Sequence, residues 1–199
     1  MNPDMRPNMH PTVRPEVRAE HLRRPGHSAT CTREQMLARV ARFAARAADL
    51  GAFPDLKQQQ GQRSVSYFLS PGGLGGAAPI TQPHNFHLSV STLSKGIRPT
   101  VHSHPYNEVF MPLNARFRLH WGEPQGDALG DWIDLEPFDV VSVPAGVFRT
   151  FENLDAHDGH MVAIFDHGGD PHTGIVVPPD VFERFYKGWN PGMVGVQES

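Results

Sequence analysis

The chain holds one cysteine, Cys31, in 199 residues. No intrachain disulfide can form, and nothing calls for an oxidising compartment. It has no run of 18 apolar residues, so no membrane-spanning helix is predicted. Its first residues carry Arg and Pro without an apolar segment, so no secretory signal is read and a cytoplasmic location is the expectation. It also lacks a strong charge of either sign. With 18 Lys and Arg against 21 Asp and Glu the net charge is −3, which gives no electrostatic reason to expect nucleic acid or an anionic membrane as partner. The basic excess is confined to residues 1–50, with 9 Arg against 5 acidic residues, whereas the remainder has 9 Lys and Arg against 16. What is plentiful is Gly and Pro, 19 of each, a composition that favours many turns and short strands over a helical bundle.

Residues 1–30 contain Pro3, Pro7, Pro11, Pro15 and Pro25 and few large apolar side chains, so this segment reads as an extended or disordered arm. The rest, 31–199, reads as one domain. Thr32 and Gln35 have the spacing of a capping box. Met36, Leu37, Val40, Phe43, Ala44 and Leu50 then recur at helical period before Gly51, which predicts an amphipathic helix over about 33–50 with its apolar stripe packed on the outside of a sheet. Short strands follow: Ser64–Leu69, 84–94, Val101–His104, Val109–Met111, Arg116–Trp121, Trp132–Leu135, Val140–Val143, Phe148–Phe151 and Met161–Phe165, separated by Gly, Pro and Asn turns. The glycine-rich stretch 72–76 reads as a flexible loop, not a phosphate loop. A short helix closes the chain at about 180–189. The class is mainly β, a sandwich or barrel with its core over about 63–177.

Chemistry concentrates in His102-Ser103-His104-Pro105-Tyr106-Asn107-Glu108. On a strand His102 and His104 share a face about 6–7 Å apart, close enough for both imidazoles to lean onto one ion. Glu108 reaches that ion only if the chain turns at Pro105-Tyr106-Asn107, residues suited to a turn. Two imidazoles and one carboxylate with open positions form the ligand set of non-haem Fe(II) oxygenases. The cofactor read from this is a divalent metal, with Fe(II) indicated and Mn, Ni or Zn as alternatives.

These residues resemble the first motif of the cupin superfamily: Gly96, then His102, His104 and Glu108, with Ala115 where the family has a glycine and Asn114 beside it to hold the turn. A second motif runs from Asp139 through Pro144-Ala145-Gly146 to Asn153. The resemblance implies an antiparallel double-stranded β-helix, a jelly-roll barrel with the metal inside its mouth, and a homodimer. It also implies a fourth ligand, a histidine, at the position of Arg149. A guanidinium has no lone pair to offer a metal. Two readings stay open. Arg149 serves as a clamp for a substrate anion beside a three-ligand metal, or it pairs with Glu108 or Glu152 and metal binding is weakened or lost. The stretch Pro144–Asn153, with Gly168-Gly169-Asp170 and Val177-Pro178-Pro179-Asp180, is similar to a group of small bacterial cupins, so the arginine reads as a subgroup feature.

The function expected is a mononuclear metal-dependent dioxygenase acting on a small anionic aromatic or enolisable substrate. His102, His104 and Glu108 would hold the metal, and Arg149 would act in binding and catalysis. Tyr67, Phe110 and Phe151 are candidate substrate contacts as well as core residues. The alternatives are a non-catalytic small-molecule-binding cupin and a metal-dependent isomerase or lyase. His157, His160, His167 and His172 read as loop histidines. His120 reads as outward-facing with Arg116 and Arg118, and Asn153 as a structural hydrogen-bonding residue.

Overall fold

The computed structural model describes residues 31–69, 78–80, 84–126, 128–166, 174–189 and 194–197. The 1–30 arm, the 72–76 loop, His167, His172 and the 168–170 stretch lie outside them. The chain divides into two compact units, Met1–Met36 and Leu37–Ser199. No helix among the described residues is long and apolar enough to cross a membrane.

Among the described residues, ten short strands carry the second unit: β1 Arg63–Leu69, β2 His87–Leu93, β3 Glu108–Pro112, β4 Phe117–Trp121, β5 Asp131–Leu135, β6 Val141–Val143, β7 Arg149–Asn153, β8 Gly159–Phe165, β9 Ile175–Val177 and β10 Val194–Val196. They form a five-stranded sheet in the order β1-β2-β8-β3-β6, a three-stranded sheet β5-β4-β7, and a β9–β10 ribbon. The pairings are antiparallel except in the ribbon. The two larger sheets share one core. Leu93, Phe110, Val143, Met161, Ala163 and Phe165 come from the first, Phe117, Leu119, Leu135 and Phe151 from the second. Each buried aromatic there contributes about 1.5–3 kcal/mol by leaving water. Alternation sets this up: on β4, Phe117 and Leu119 point in while Arg118 pairs outward with Asp134 at 2.6 Å.

The predicted helix over 33–50 is corrected to α1, Arg33–Leu37. Its capping box is present: Gln35 N–H donates to Thr32 Oγ1 at 3.1 Å, and Thr32 N–H to Gln35 Oε1 at 2.9 Å. The helix stops because the chain beyond has other partners. A 3-10 turn at Phe43–Ala45 stacks Phe43 on Phe68 of β1, and Asp49 adds a main-chain bridge to Val65 at the edge of β1, with N–H···O distances of 2.8 and 3.0 Å. Met36, Leu37, Val40, Ala44 and Leu50, the rest of the apolar stripe, stay exposed. A short helix without a packed face is marginal in water. The C-terminal helix is found as α2, Pro179–Val181, running into a π-turn at Phe182–Tyr186. Val181 and Tyr186 bury against Ile175 and Val177 of β9.

Candidate metal centre

The segment predicted as a strand over 101–104 is instead two isolated bridges. His102 pairs with Arg149 of β7, and Ser103 with Val176 of β9. The first bridge has N–H···O distances of 3.3 and 2.9 Å, the second 2.8 and 3.0 Å, and the carbonyl of His104 accepts the Gly146 N–H at 2.8 Å. The turn that follows is pinned from both sides. Asn107 Nδ2 donates to Asp166 at 2.9 Å, and its Oδ1 accepts the Ala145 N–H at 3.3 Å. Gly174 sits where a Cβ would meet Pro105 at 2.9 Å. Glu108 then opens β3 between Val143 of β6 and Phe165 of β8. The turn brings back the carboxylate that a straight strand would carry away.

The result is a cluster. One donor atom each from His102, His104 and Glu108 lies within 4.8 Å of the others, a spread that a single divalent ion with bonds near 2 Å can span. The His102 Nδ1 is 2.7 Å from the Thr100 carbonyl oxygen. That oxygen can only accept, so Nδ1 carries the proton and Nε2 offers its lone pair, the usual device for fixing a metal-binding imidazole. Burial, reinforced by the Arg149 charge, lowers the His102 pKa to about 3, so the ring is neutral at working pH. The His104 ring lies parallel to Tyr106 at 5.5 Å and edge-on to Phe165 at 5.0 Å. Burial pushes the Glu108 carboxyl up while Arg149 pulls it down. These donors fit a divalent metal.

Arg149 occupies the place where the family pattern has its fourth ligand. Paired through the backbone with His102, it points inward and is 1% exposed. Its Nε donates to Glu108 Oε2 at 3.0 Å, its Nη2 donates to the same oxygen, and its Nη1 donates to the carbonyls of His102 and Val147 at 3.3 and 3.5 Å. The guanidinium is spent on Glu108. The cavity beside the cluster has a volume of about 30 Å³, and Tyr67, Phe110 and Phe151 stand on its wall with His102, His104 and Glu108.

Sequence reasoning missed the support behind His102. Asp55, in a 3-10 helix at Pro54–Gln59, accepts the Thr100 N–H at 3.0 Å and pairs with Arg63 at 2.7 Å. Arg63 is on the cavity wall with Ser89 and Ser91. The available signal was a charged residue in phase with Val65 and Tyr67, one position before the strand predicted at 64–69. Three other histidines make contacts away from the cluster. His157 contacts the Asn114 carbonyl at 3.0 Å, His160 contacts Thr92 Oγ1 at 3.0 Å, and His120 faces Glu152 at 3.8 Å. Asn153 ties down its loop through Leu93 and His157 carbonyls at 2.9 and 2.7 Å.

No family model matches the sequence, and no curated protein matches it either. Solved structures do match in shape. An oxalate oxidase is 16% identical, covering 77% of this chain and 68% of that one, with a TM-score of 0.51. Peruvianin-I, a cysteine peptidase from Thevetia peruviana latex, is 14% identical over 72% and 79%, with a TM-score of 0.50. A cupin-2 domain from Rhodospirillum rubrum is 14% identical over 64% and 73%, with a TM-score of 0.43. An oxidase and a peptidase on one architecture show that the fold does not name the reaction. The likeness is one of fold, two facing antiparallel sheets of the cupin jelly-roll kind around one core, and this chain turns its own His102–Glu108 segment into the space between them.

Proposed function

We propose that the protein is a mononuclear metal-dependent enzyme of the non-haem dioxygenase type, in which His102, His104 and Glu108 hold Fe(II), or alternatively Mn, Ni or Zn, and act on a small anionic, enolisable substrate. The observation that carries this reading is the convergence of the His102 and His104 imidazoles and the Glu108 carboxyl, with donor atoms within 4.8 Å of one another, on the wall of a cavity. Charge counting supports the anionic substrate. Glu108 is already balanced by Arg149, so a divalent ion held here keeps its two charges, and a low-dielectric site favours an anion to offset them. The cavity volume of about 30 Å³ argues for a few heavy atoms and against an aromatic ring, since a cavity that takes benzene is on the order of 150 Å³.

A metal here supplies Lewis acidity and, as Fe(II), a means of activating O₂. The protein's part is orientation and exclusion. Thr100 holds the His102 tautomer, Arg149 holds and charge-balances Glu108, and Phe110, Phe151 and Phe165 supply the apolar part of the cavity wall. Elemental analysis of anaerobically purified, Fe(II)-reconstituted protein is expected to find one ion per chain. Glu108→Ala and His104→Gln are expected to abolish loading, and oxygen uptake is expected with short carboxylic acids. A protein that holds no stoichiometric Fe, Mn, Ni, Co or Zn after reconstitution overturns the reading.

One observation favours a second reading. The Glu108–Arg149 pair is complete without a metal, as it would be in a non-catalytic cupin that binds a small molecule. That protein would gain thermal stability from its ligand in the presence of a chelator, with no oxygen uptake. A metal-dependent isomerase or lyase would show metal loading and turnover, again without oxygen uptake.

A further inference from the structure

With Arg149 committed to Glu108, the cavity has a second cation on its wall, Arg63, whose donors are only partly engaged. Arg63 opens β1 in phase with Val65 and Tyr67, and all three line the cavity that holds the metal ligands. It is 5% exposed. Its Nη1 donates to Asp55 Oδ2 at 2.7 Å, but that oxygen is shared with the Thr100 N–H at 3.0 Å and hydroxyl at 3.4 Å. The buried Nε of Arg63 has no hydrogen-bond partner among the described residues. A charged donor left unsatisfied in the interior is costly, and native structures avoid it unless the group has another use. Arg149 shows the finished alternative, with Nε, Nη1 and Nη2 all engaged.

Arg63 approaches the metal ligands from the His102 side: its partner Asp55 accepts the Thr100 N–H at 3.0 Å, and the Thr100 carbonyl meets His102 Nδ1 at 2.7 Å. β1 and β3 are separated by β2 and β8, roughly 14 Å at the usual strand spacing. The intervening inward residues on the cavity wall are short: Ser89 and Ser91 on β2, Ala163 on β8. These short residues lie in the rows of Val65 and Tyr67, while Arg63 pairs with Leu93, so the open floor lies beside Arg63 on the wall it shares with His102, His104 and Glu108.

We infer that Arg63 is the specificity-determining residue of this site. Its guanidinium receives the carboxylate of a short 2-hydroxy or 2-oxo acid whose second oxygen faces His102, His104 and Glu108. This rests on the metal-centre reading above, and the test keeps the two apart. Metal content, and calorimetric binding of glycolate against its uncharged counterpart glycolamide, are measured on Zn(II)-loaded wild type, Arg63→Lys and Arg63→Gln. Arg63→Lys keeps a cation for Asp55 but loses the planar fork, so it is the variant that guards against a folding defect, checked by its melting curve. Wild type is expected to prefer glycolate at least ten-fold. Arg63→Lys and Arg63→Gln are expected to lose about ten- to a hundred-fold in glycolate affinity, the weight of a charge-assisted hydrogen bond, with metal content and glycolamide affinity unchanged in Arg63→Lys, which keeps a cation for Asp55. Equal affinity for the two ligands in wild type, or equal glycolate affinity in wild type and Arg63→Lys, overturns the assignment. Absence of bound Zn(II) with the glycolate preference intact in metal-free protein overturns the metal centre and leaves Arg63 standing.

Discussion

Arg149 donates from both Nε and Nη2 to one oxygen of Glu108, and the two residues are 1% and 3% exposed. A cation that elsewhere in such a site would repel a metal is neutralised by one of the metal's own candidate ligands. The pair links β7 to β3 across the two sheets, so one contact serves both the closure of the barrel and the orientation of the carboxylate.

Breaking the pair from either side should therefore cost more than removing it. Arg149→Met is expected to destabilise the fold by about 3–5 kcal/mol, because Glu108 is left as an uncompensated buried charge. The double variant Arg149→Met with Glu108→Gln should recover a large part of that loss. Urea denaturation of the two single variants and the double variant measures the coupling, and additive losses would show the residues to be independent.

Much of this was legible in the sequence, and the exceptions have a common cause. Most strands of the two larger sheets, the antiparallel class and the His102–Glu108 turn follow from local alternation and turn residues, whereas the strand predicted at 101–104 is two bridges and the β9–β10 ribbon carried no signal that was read. The helix over 33–50 does not survive because Phe43 and Asp49 are claimed by β1, a contact with no local signature. Arg63 escaped notice because a lone arginine at a strand boundary looks solvent-facing, and only the barrel turns that position inward. For Arg149, the resemblance to the second cupin motif placed it beside the metal site, and the structure pairs it with Glu108 and, through the backbone, with His102.

Asp55 acts on the metal site through Thr100. Its carboxylate holds the Thr100 N–H at 3.0 Å, and the Thr100 carbonyl holds His102 Nδ1 at 2.7 Å. Asp55→Ala is expected to weaken Zn(II) binding by about 10- to 100-fold, the usual weight of an outer-shell partner. Asp55→Asn, which keeps an acceptor for the Thr100 N–H, should restore most of it. Competition with a chromogenic chelator reads both. Unchanged affinity in Asp55→Ala would remove Asp55 from the support of the centre.

His160 reports on the segment that replaces the predicted helix. Its ring meets Phe43 edge-on at 4.9 Å, and burial, aided by the Arg46 charge, lowers its pKa below the ordinary 6.5. The folded state then holds this ring neutral where the unfolded chain takes up a proton, so the unfolded state binds more protons and stability rises with pH. The contribution is complete above pH 6.5 and is lost as the pH falls below it. In an NMR titration the His160 midpoint should lie under 6.5, and Arg46→Gln and Phe43→Ala should each raise it. A midpoint unmoved by both would mean that residues 43–46 do not pack on the sheet.

Gly159 tests the joint between the two sheets. It opens β8 opposite Leu93 of β2, and a Cβ there would lie 2.7 Å from Phe117 Cζ and 2.9 Å from Asn153 Cγ. Neither neighbour can give way. Phe117 is 0% exposed, and Asn153 is fastened by donation to Leu93 and His157 and by acceptance from Asp155 at 2.9, 2.7 and 3.0 Å. A glycine with an ordinary backbone conformation is normally improved by alanine, by about 0.4–1 kcal/mol through the unfolded state. Here overpacking should reverse the sign and cost about 1–3 kcal/mol. Thermal melts of Gly159→Ala decide between the two, and because residue 159 is remote in the chain from residues 102–108, metal content should stay at the wild-type level even as the melting temperature falls.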